Sequence, residues 1–332
     1  MTALLGQTEQ TAAFRGAMEG GHLHHAWLLT GPEGVGKASF AMDAARWLLA
    51  NGAGPATAGP GFAVPEAHPI AHYLAAGSHP DFRRLERLRK DPEKETSELA
   101  RNISVGQVRQ LQPLFGSTGS LSRWRVVIID AIDHLEPSAA NALLKNLEEP
   151  PPDSLFLLVS HAPGRLLPTI RSRCRQLRFV PLADDVMTLA LRRALPDAEP
   201  DEIAALVAMG QGAPGRALTY AGLDLASIDA TAAALVTHGD PGNGRRVALA
   251  KQLSGKAAQL RYEAFLDRAP SHLAAAARER RGQALADTLA LWEKARALAE
   301  SAVRLSLDPQ TTVFELAGLL AGAAREPLNS SY

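Results

Sequence analysis

The chain has 332 residues, enough for two or three domains, and its apolar share of 46% with only 5% aromatics means that Leu, Ala and Val must fill the cores. Lys plus Arg equals Asp plus Glu at 35 each, a balance that argues against a protein gripping nucleic acid by backbone charge alone. A single cysteine excludes an intrachain disulfide, and with neither a basic-then-apolar leader nor a long apolar span the chain reads as soluble and cytoplasmic.

A helix is expected over Gln10 to Met18, closed by Gly20 and Gly21. His22, His24 and His25 follow, read as a loop feeding the first strand, because no Cys or carboxylate joins them at ligand spacing. Trp27 to Thr30 is a buried strand, and the glycine loop Gly31–Lys37 opens a helix from Ala38 to about Ala50. Residues 51–78 are rich in Gly, Ala and Pro and read as a loop or insertion with a short helix near Ile70 to Ala75. His68 and His72 lie four apart and could share a metal, but with His79 they lack a further clear ligand, so a metal there is disfavoured.

Asp81 to Glu86 reads as a strand. Arg83, Arg84, Arg87, Arg89 and Lys90 read as a solvated basic face. Asp91 to Glu98 is a charged loop, Val105 to Leu114 an amphipathic helix, and Gly116 to Ser122 a polar loop. Val126 to Ile129 is a continuous branched apolar run, the mark of a strand buried on both faces, and it ends in Asp130. Pro137 starts a helix with Ala140, Leu143, Leu144 and Leu147 on one face, and Pro150 to Pro152 stop it. Leu155 to Val159 and Leu177 to Val180 are further strands. Helices are then expected over Asp184 to Leu195 and Glu202 to Met209, with a turn through Gly210–Gly215 into Arg216. Residues 223–332 read as all-helical, with clear periodicity over Trp292 to Leu307 and Val313 to Ala324.

The chemistry concentrates at two places. In Gly31-Pro-Glu-Gly34-Val-Gly36-Lys37, glycines let backbone N–H groups curl round phosphate oxygens, the helix N-terminus adds positive potential, and Lys37 reaches the outer phosphates. Asp130 stands at the C-terminal edge of a strand, where ligands of open α/β sheets bind. The position after Lys37 calls for a hydroxyl to hold Mg²⁺, yet it is Ala38. Ser39 points about 100° away round the helix.

Asn141-Ala-Leu-Leu-Lys-Asn-Leu-Glu-Glu-Pro-Pro151 and Leu167-Pro-Thr-Ile-Arg-Ser-Arg-Cys174, with His24-His-Ala-Trp-Leu-Leu-Thr-Gly-Pro32 and Ser78-His-Pro-Asp-Phe82, resemble the bacterial sliding-clamp loader subunits of the AAA+ ATPases. The likeness covers about residues 4–180. It implies an α/β AAA+ P-loop core over residues 1–182, a small helical lid over 183–222 and an all-α collar over 223–332. It also implies a ring of five subunits, with gamma/tau and delta as neighbours, that uses ATP to load the beta clamp at a primer–template junction. The four zinc-binding cysteines that many such subunits carry after the phosphate-loop helix are missing here, so no structural zinc is expected despite the histidines.

By the same resemblance Asp130 is the Walker B aspartate, and the next residue should be a glutamate that polarises the attacking water. Here it is Ala131, and Asp133 is displaced by two positions. Ala38 and Ala131 together remove a metal ligand and the base, so the expected chain is a largely non-hydrolysing ring member. The alternative is an active gamma/tau-like ATPase. Binding of ATP or ADP stays open, because Gly31, Gly34, Gly36 and Lys37 are intact, and a loop kept for packing accounts for them equally well. Ser172-Arg173-Cys174 matches the motif whose arginine enters a neighbour's ATP site as a finger. Cys174 itself reads as a small packing residue. Gly215-Arg216 is similar to the second sensor of AAA+ lids, a nucleotide contact in cis, or else Arg216 faces solvent. Ser160 and His161 fall at the first-sensor position by chain order.

Overall fold

Three strands carry the fold. The computed structural model describes residues 5–54, 59–91, 93–94, 98–116, 118–223 and 225–324. Parts of three loops expected from the sequence (55–58 in the insertion, 92 and 95–97 in the charged loop, 117 in the polar loop) lie outside the described residues. The chain divides into two compact units, residues 1–219 and 220–332.

The first unit opens with α1 (Thr8–Glu19), β1 (Ala26–Thr30), α2 (Lys37–Ala53), α3 (Pro69–Ala75) and β2 (Phe82–Glu86). Next come α4 (Val105–Arg109), α5 (Gln112–Phe115), β3 (Arg125–Asp130), α6 (Pro137–Glu148) and β4 (Ser154–Ser160). It closes with α7 (Pro168–Arg171), β5 (Arg175–Arg178), α8 (Asp184–Ala194), α9 (Pro200–Gly210) and α10 (Pro214–Leu218). The strands form one parallel sheet in the order β2-β3-β4-β1-β5.

Side-chain alternation sorts the central strands between two cores. Trp27, Leu29, Val126, Ile128, Leu155 and Leu157 join one with α2. Leu28, Val127, Ile129, Phe156 and Leu158 join the other with α4, α5 and α6. Covered on both sides, β1, β3 and β4 carry the unbroken apolar runs seen in the sequence. The edge strands β2 and β5 bury one residue each, Leu85 and Leu177, and their exposed arginines discourage further strand pairing.

Helix ends shift by a few residues from the sequence reading, α14 starts ten residues earlier, and two further differences have a clear physical cause. The last strand is Arg175–Arg178, two residues earlier than the apolar run. Its register is set by pairing to β1, with Thr30 opposite Arg178, and Phe179 donates its N–H to Thr30 O at 2.7 Å beyond the strand end. The helix expected over Val105 to Leu114 is two short helices. Pro113 has no N–H to bond back, so the chain turns at Gln110–Leu111 while Leu111 stays fully buried.

The few aromatic residues are concentrated where α1 meets the sheet. Phe14 lies 5.1 Å from Trp27 and 5.9 Å from Phe40, and Phe40 lies 5.2 Å from Phe62 and 5.1 Å from Phe179. Phe62 belongs to the Gly/Pro-rich insertion, whose carbonyls at Gly59 and Gly61 accept from the Arg15 guanidinium at 2.8 Å each. Gln7 and Gln10 donate to the carbonyls of Val180 and Arg178 at 2.8 and 2.7 Å, tying α1 to the far end of the core.

Several histidines serve the backbone. His68 caps α3 by accepting from Ile70 N at 3.2 Å, and His79 accepts from Asp81 N at 3.1 Å. His24 and His25 stack at 4.4 Å, and His25 bonds Leu147 O at 3.1 Å. Among the described residues, no three His, Cys, Asp or Glu side chains form a metal-ligand group. Nor is any helix there long and apolar enough to cross a membrane.

The described residues of the second unit form helices joined by short turns: α11 (Ala226–His238), α12 (Gly244–Leu253), α13 (Gln259–Arg278), α14 (Gly282–Leu305) and α15 (Pro309–Ala321). Leu235, Leu253, Phe265, Leu273, Leu316 and Leu320 are buried in it. Within it, the Asp229 carboxylate pairs with Arg268 and His272. Burial works to raise its pKa, but hydrogen bonds from His272 and Arg268 outweigh that and leave it below the ordinary value.

Asp81, 3% exposed, accepts three backbone N–H bonds, from Ser120, Leu121 and Ser122, at 2.7 to 2.9 Å. Asp81→Ala leaves those amides without an acceptor and is expected to cost about 3 kcal/mol. Urea denaturation followed by tryptophan fluorescence checks this, and an unchanged midpoint contradicts it.

Candidate functional site: a phosphate loop and the sheet edge beside it

The loop after β1 needs glycine for two reasons. Gly31, Gly34 and Gly36 have φ of +144°, +76° and +104°, a region that L side chains avoid. Neighbouring backbone also crowds them. A Cβ at Gly31 would come 2.4 Å from Phe179 O, and one at Gly34 would come 2.4 Å from Arg216 N. Gly215 N donates to Gly34 O at 2.8 Å, so the start of α10 rests directly on the loop. Arg216 is half-buried, with its backbone against Gly34.

Lys37 is 2% exposed. Its Nζ donates to Gly31 O at 2.6 Å and Pro32 O at 2.5 Å, so the ammonium is held by the loop's own carbonyls. Burial lowers its pKa to about 8, against the opposing pull of Glu33, Asp133 and Asp130. Ala38 brings a methyl group to the next position, and Ser39 is exposed.

Asp130 ends β3 as the sequence indicated, but its carboxylate is engaged. Arg84 on β2 places Nη2 2.9 Å from Asp130 Oδ2 and 2.8 Å from Glu86 Oε2. The parallel register explains this, since Glu86 lies directly opposite Asp130 and Arg84 two residues before it. Ala131 is buried beside the pair. Asp133 accepts from Ser160 Oγ at 3.0 Å, His161 N at 2.8 Å and Ala162 N at 3.0 Å. It thereby fixes the end of β4 with both first-sensor candidates. His161 titrates below its ordinary value because of burial and then the Lys37 charge. Asp130, Ala131 and His161 line a cleft of about 410 Å³ together with Glu33, Glu86, Arg87 and His134.

Arg173 follows α7 on a different part of the unit. Its Nη1 donates to Thr169 O at 2.9 Å, and its Nη2 lies 2.9 Å from Glu148 Oε1 at the end of α6. The Arg173 side chain keeps 34% of its surface exposed, and that of Glu148 48%. Ser172 Oγ donates to Thr169 O at 3.1 Å. Cys174 packs against the α4–α6 core, where burial pushes its thiol up to about 12, so it is a neutral packing group at ordinary pH.

The structure thus gathers Gly31, Gly34, Gly36, Lys37 and Arg216 around one loop, and Asp130, Ser160 and His161 at the neighbouring strand ends. Sequence reasoning missed Arg84 and Glu148. In the sequence Arg84 is one of a basic run that reads as solvated, and only the pairing of β2 with β3 gives it a partner. Glu148 lies within a motif whose residues give no hint of its ion pair.

A family model described as "DNA polymerase III, delta subunit" matches residues 6–183. The chain belongs to this family. Among its relatives, a DNA polymerase III subunit delta' from Pseudomonas aeruginosa is 42% identical over 191 residues, 57% of this chain and 53% of that one. The delta' subunit from Escherichia coli is 31% identical over 206 residues, 60% of this chain and 55% of that one. A tau/gamma subunit from Haemophilus influenzae is 32% identical over 213 residues, 64% of this chain and 28% of that one. The chain spans about half the length of the delta' relatives it matches.

The buried lysine predicts a pH dependence. Folding depresses the Lys37 pKa, so between about 8 and the ordinary 10.5 the unfolded chain holds a proton that the folded chain has released. The stability of the first unit therefore rises with pH across that window, by about 1 kcal/mol between pH 7.5 and 9.5 once screening is allowed for. Lys37→Met removes this slope. Parallel urea titrations of the two proteins at the two pH values measure it, and identical slopes contradict it.

Proposed function

We propose that this chain is the delta-prime subunit of a bacterial clamp loader: a largely non-hydrolysing ring member that helps place the beta sliding clamp on primed DNA. It stands beside a gamma/tau ATPase subunit, with delta as a further neighbour, and it supplies Arg173 to the adjacent ATP site. The division into a core over residues 1–182, a lid over 183–222 and a collar over 223–332 is part of this reading. The family match supports the assembly.

The observation that carries the loss of hydrolysis is the Asp130–Arg84 pair. The carboxylate that should position Mg²⁺ already faces a cation, and Ala38 and Ala131 offer no oxygen to replace what is lost. With Lys37 turned onto loop carbonyls as well, the site has the frame of a nucleotide cradle with its charges satisfied internally. Arg173 supports the second half of the reading. It lies partly exposed, in a pair of the exposed kind that contributes about 0–1 kcal/mol, which a polyphosphate can displace or share. Its planar fork suits charge building on a transferred phosphoryl group, and Lys cannot reproduce that geometry.

Two experiments test this. In a reconstituted ring where only the neighbouring ATPase site is competent, Arg173→Ala is expected to lower single-turnover hydrolysis by roughly 10³ or more while assembly persists on gel filtration. An unchanged rate removes the finger role. In the isolated chain, Ala38→Thr with Ala131→Glu is expected to yield no ATP hydrolysis while Arg84 still neutralises Asp130. Adding Arg84→Ala should be required for Mg²⁺-dependent nucleotide binding by calorimetry. Turnover by the double variant would show that Arg84 is no obstacle.

A further inference from the structure

We propose that Glu148 is the positioning residue for Arg173, a role that rests on the reading of Arg173 as a finger. The guanidinium is held at two points on different nitrogens, Nη2 to Glu148 Oε1 and Nη1 to Thr169 O, both at 2.9 Å. An arginine fork carries five N–H donors, so these bonds fix its plane and leave donors to spare for a phosphate. Glu148 and Thr169 come from two different elements, the end of α6 and the middle of α7. The orientation of the fork therefore depends on how these two helices pack, not on the arginine's own rotamers.

The local sequence around Glu148 breaks a rule of helix electrostatics. Glu148 ends α6 and Glu149 is its C-cap, which puts two carboxylates at the negative pole of the helix dipole. A helix end chosen for stability carries cations there. Lys145 in the last turn supplies one, and Arg173 brings a second from outside the helix. Glu148 is thus accounted for as a receptor for the guanidinium, and departures of this kind gather at functional positions. Partial exposure of both side chains keeps the site open to a neighbour's phosphates, while the two bonds remove the rotamer freedom that a long side chain would otherwise lose on docking.

The test uses the complete reconstituted ring with a single competent ATPase site next to this chain, and ATP with Mg²⁺ as the probe. Glu148→Ala is expected to lower the maximal rate of hydrolysis at that site about tenfold, with the ATP concentration for half-saturation unchanged. Glu148→Gln, which keeps an acceptor oxygen, should recover part of the loss. With Arg173→Ala already present, Glu148→Ala should have no further effect on the rate. A tighter half-saturation with an undiminished maximal rate would make Glu148 a competitor for the finger and overturn the proposal. So would a rate loss that persists without Arg173. If Arg173→Ala lowers the rate and Glu148→Ala does not, only the role of Glu148 falls. If neither matters, the finger reading itself falls.

Discussion

A strand buried on both faces can offer chemistry only at its ends. That constraint governs the first unit. β1, β3 and β4 are sealed between two apolar cores, so the polar groups they position, at Gly31, Asp130 and Ser160, gather along one edge of the sheet. Whatever this edge does is decided by the few side chains that reach it. In this chain the deciding ones are an arginine from a neighbouring strand, a lysine turned back on its own loop and two alanines.

The result is a site whose parts answer one another. Arg84 occupies the carboxylate of Asp130, Lys37 the carbonyls of Gly31 and Pro32, and Asp133 the end of β4. The start of α10 presses on Gly34 so closely that a side chain there is excluded. Two of the loop's glycines are therefore explained by backbone packing alone, at Phe179 and at Arg216, independently of any phosphate. On the reading proposed above, Arg84 takes up the carboxylate that a metal would need, and making this edge catalytic requires removal of that cation as well as oxygens at positions 38 and 131.

Much of this was readable in the residues. The unbroken apolar runs locate β1, β3 and β4, and the proline and glycine punctuation bounds α2 and α6. What stayed hidden depended on contacts between distant segments. Arg84 sits among five basic residues in an eight-residue stretch, and nothing local distinguishes the one that β-pairing brings to Asp130. The apolar run puts the last strand two residues late because hydrophobicity reports burial, whereas an edge strand with one buried residue is defined by its hydrogen bonds. The break between α4 and α5 has a local signal, Pro113, that a good apolar period masks. Glu148 needed the packing of α6 on α7 before it had a partner.

Cys174 has a practical side. Burial pushes its thiol up to about 12, which keeps it protonated at neutral pH, and the thiolate is the form that reacts. Because it is also the sole cysteine of the sequence, the unaltered polypeptide is a quiet background for maleimide chemistry. A fluorophore or spin label on a cysteine introduced elsewhere is expected to report chiefly from that place, without prior removal of the residue adjoining Arg173.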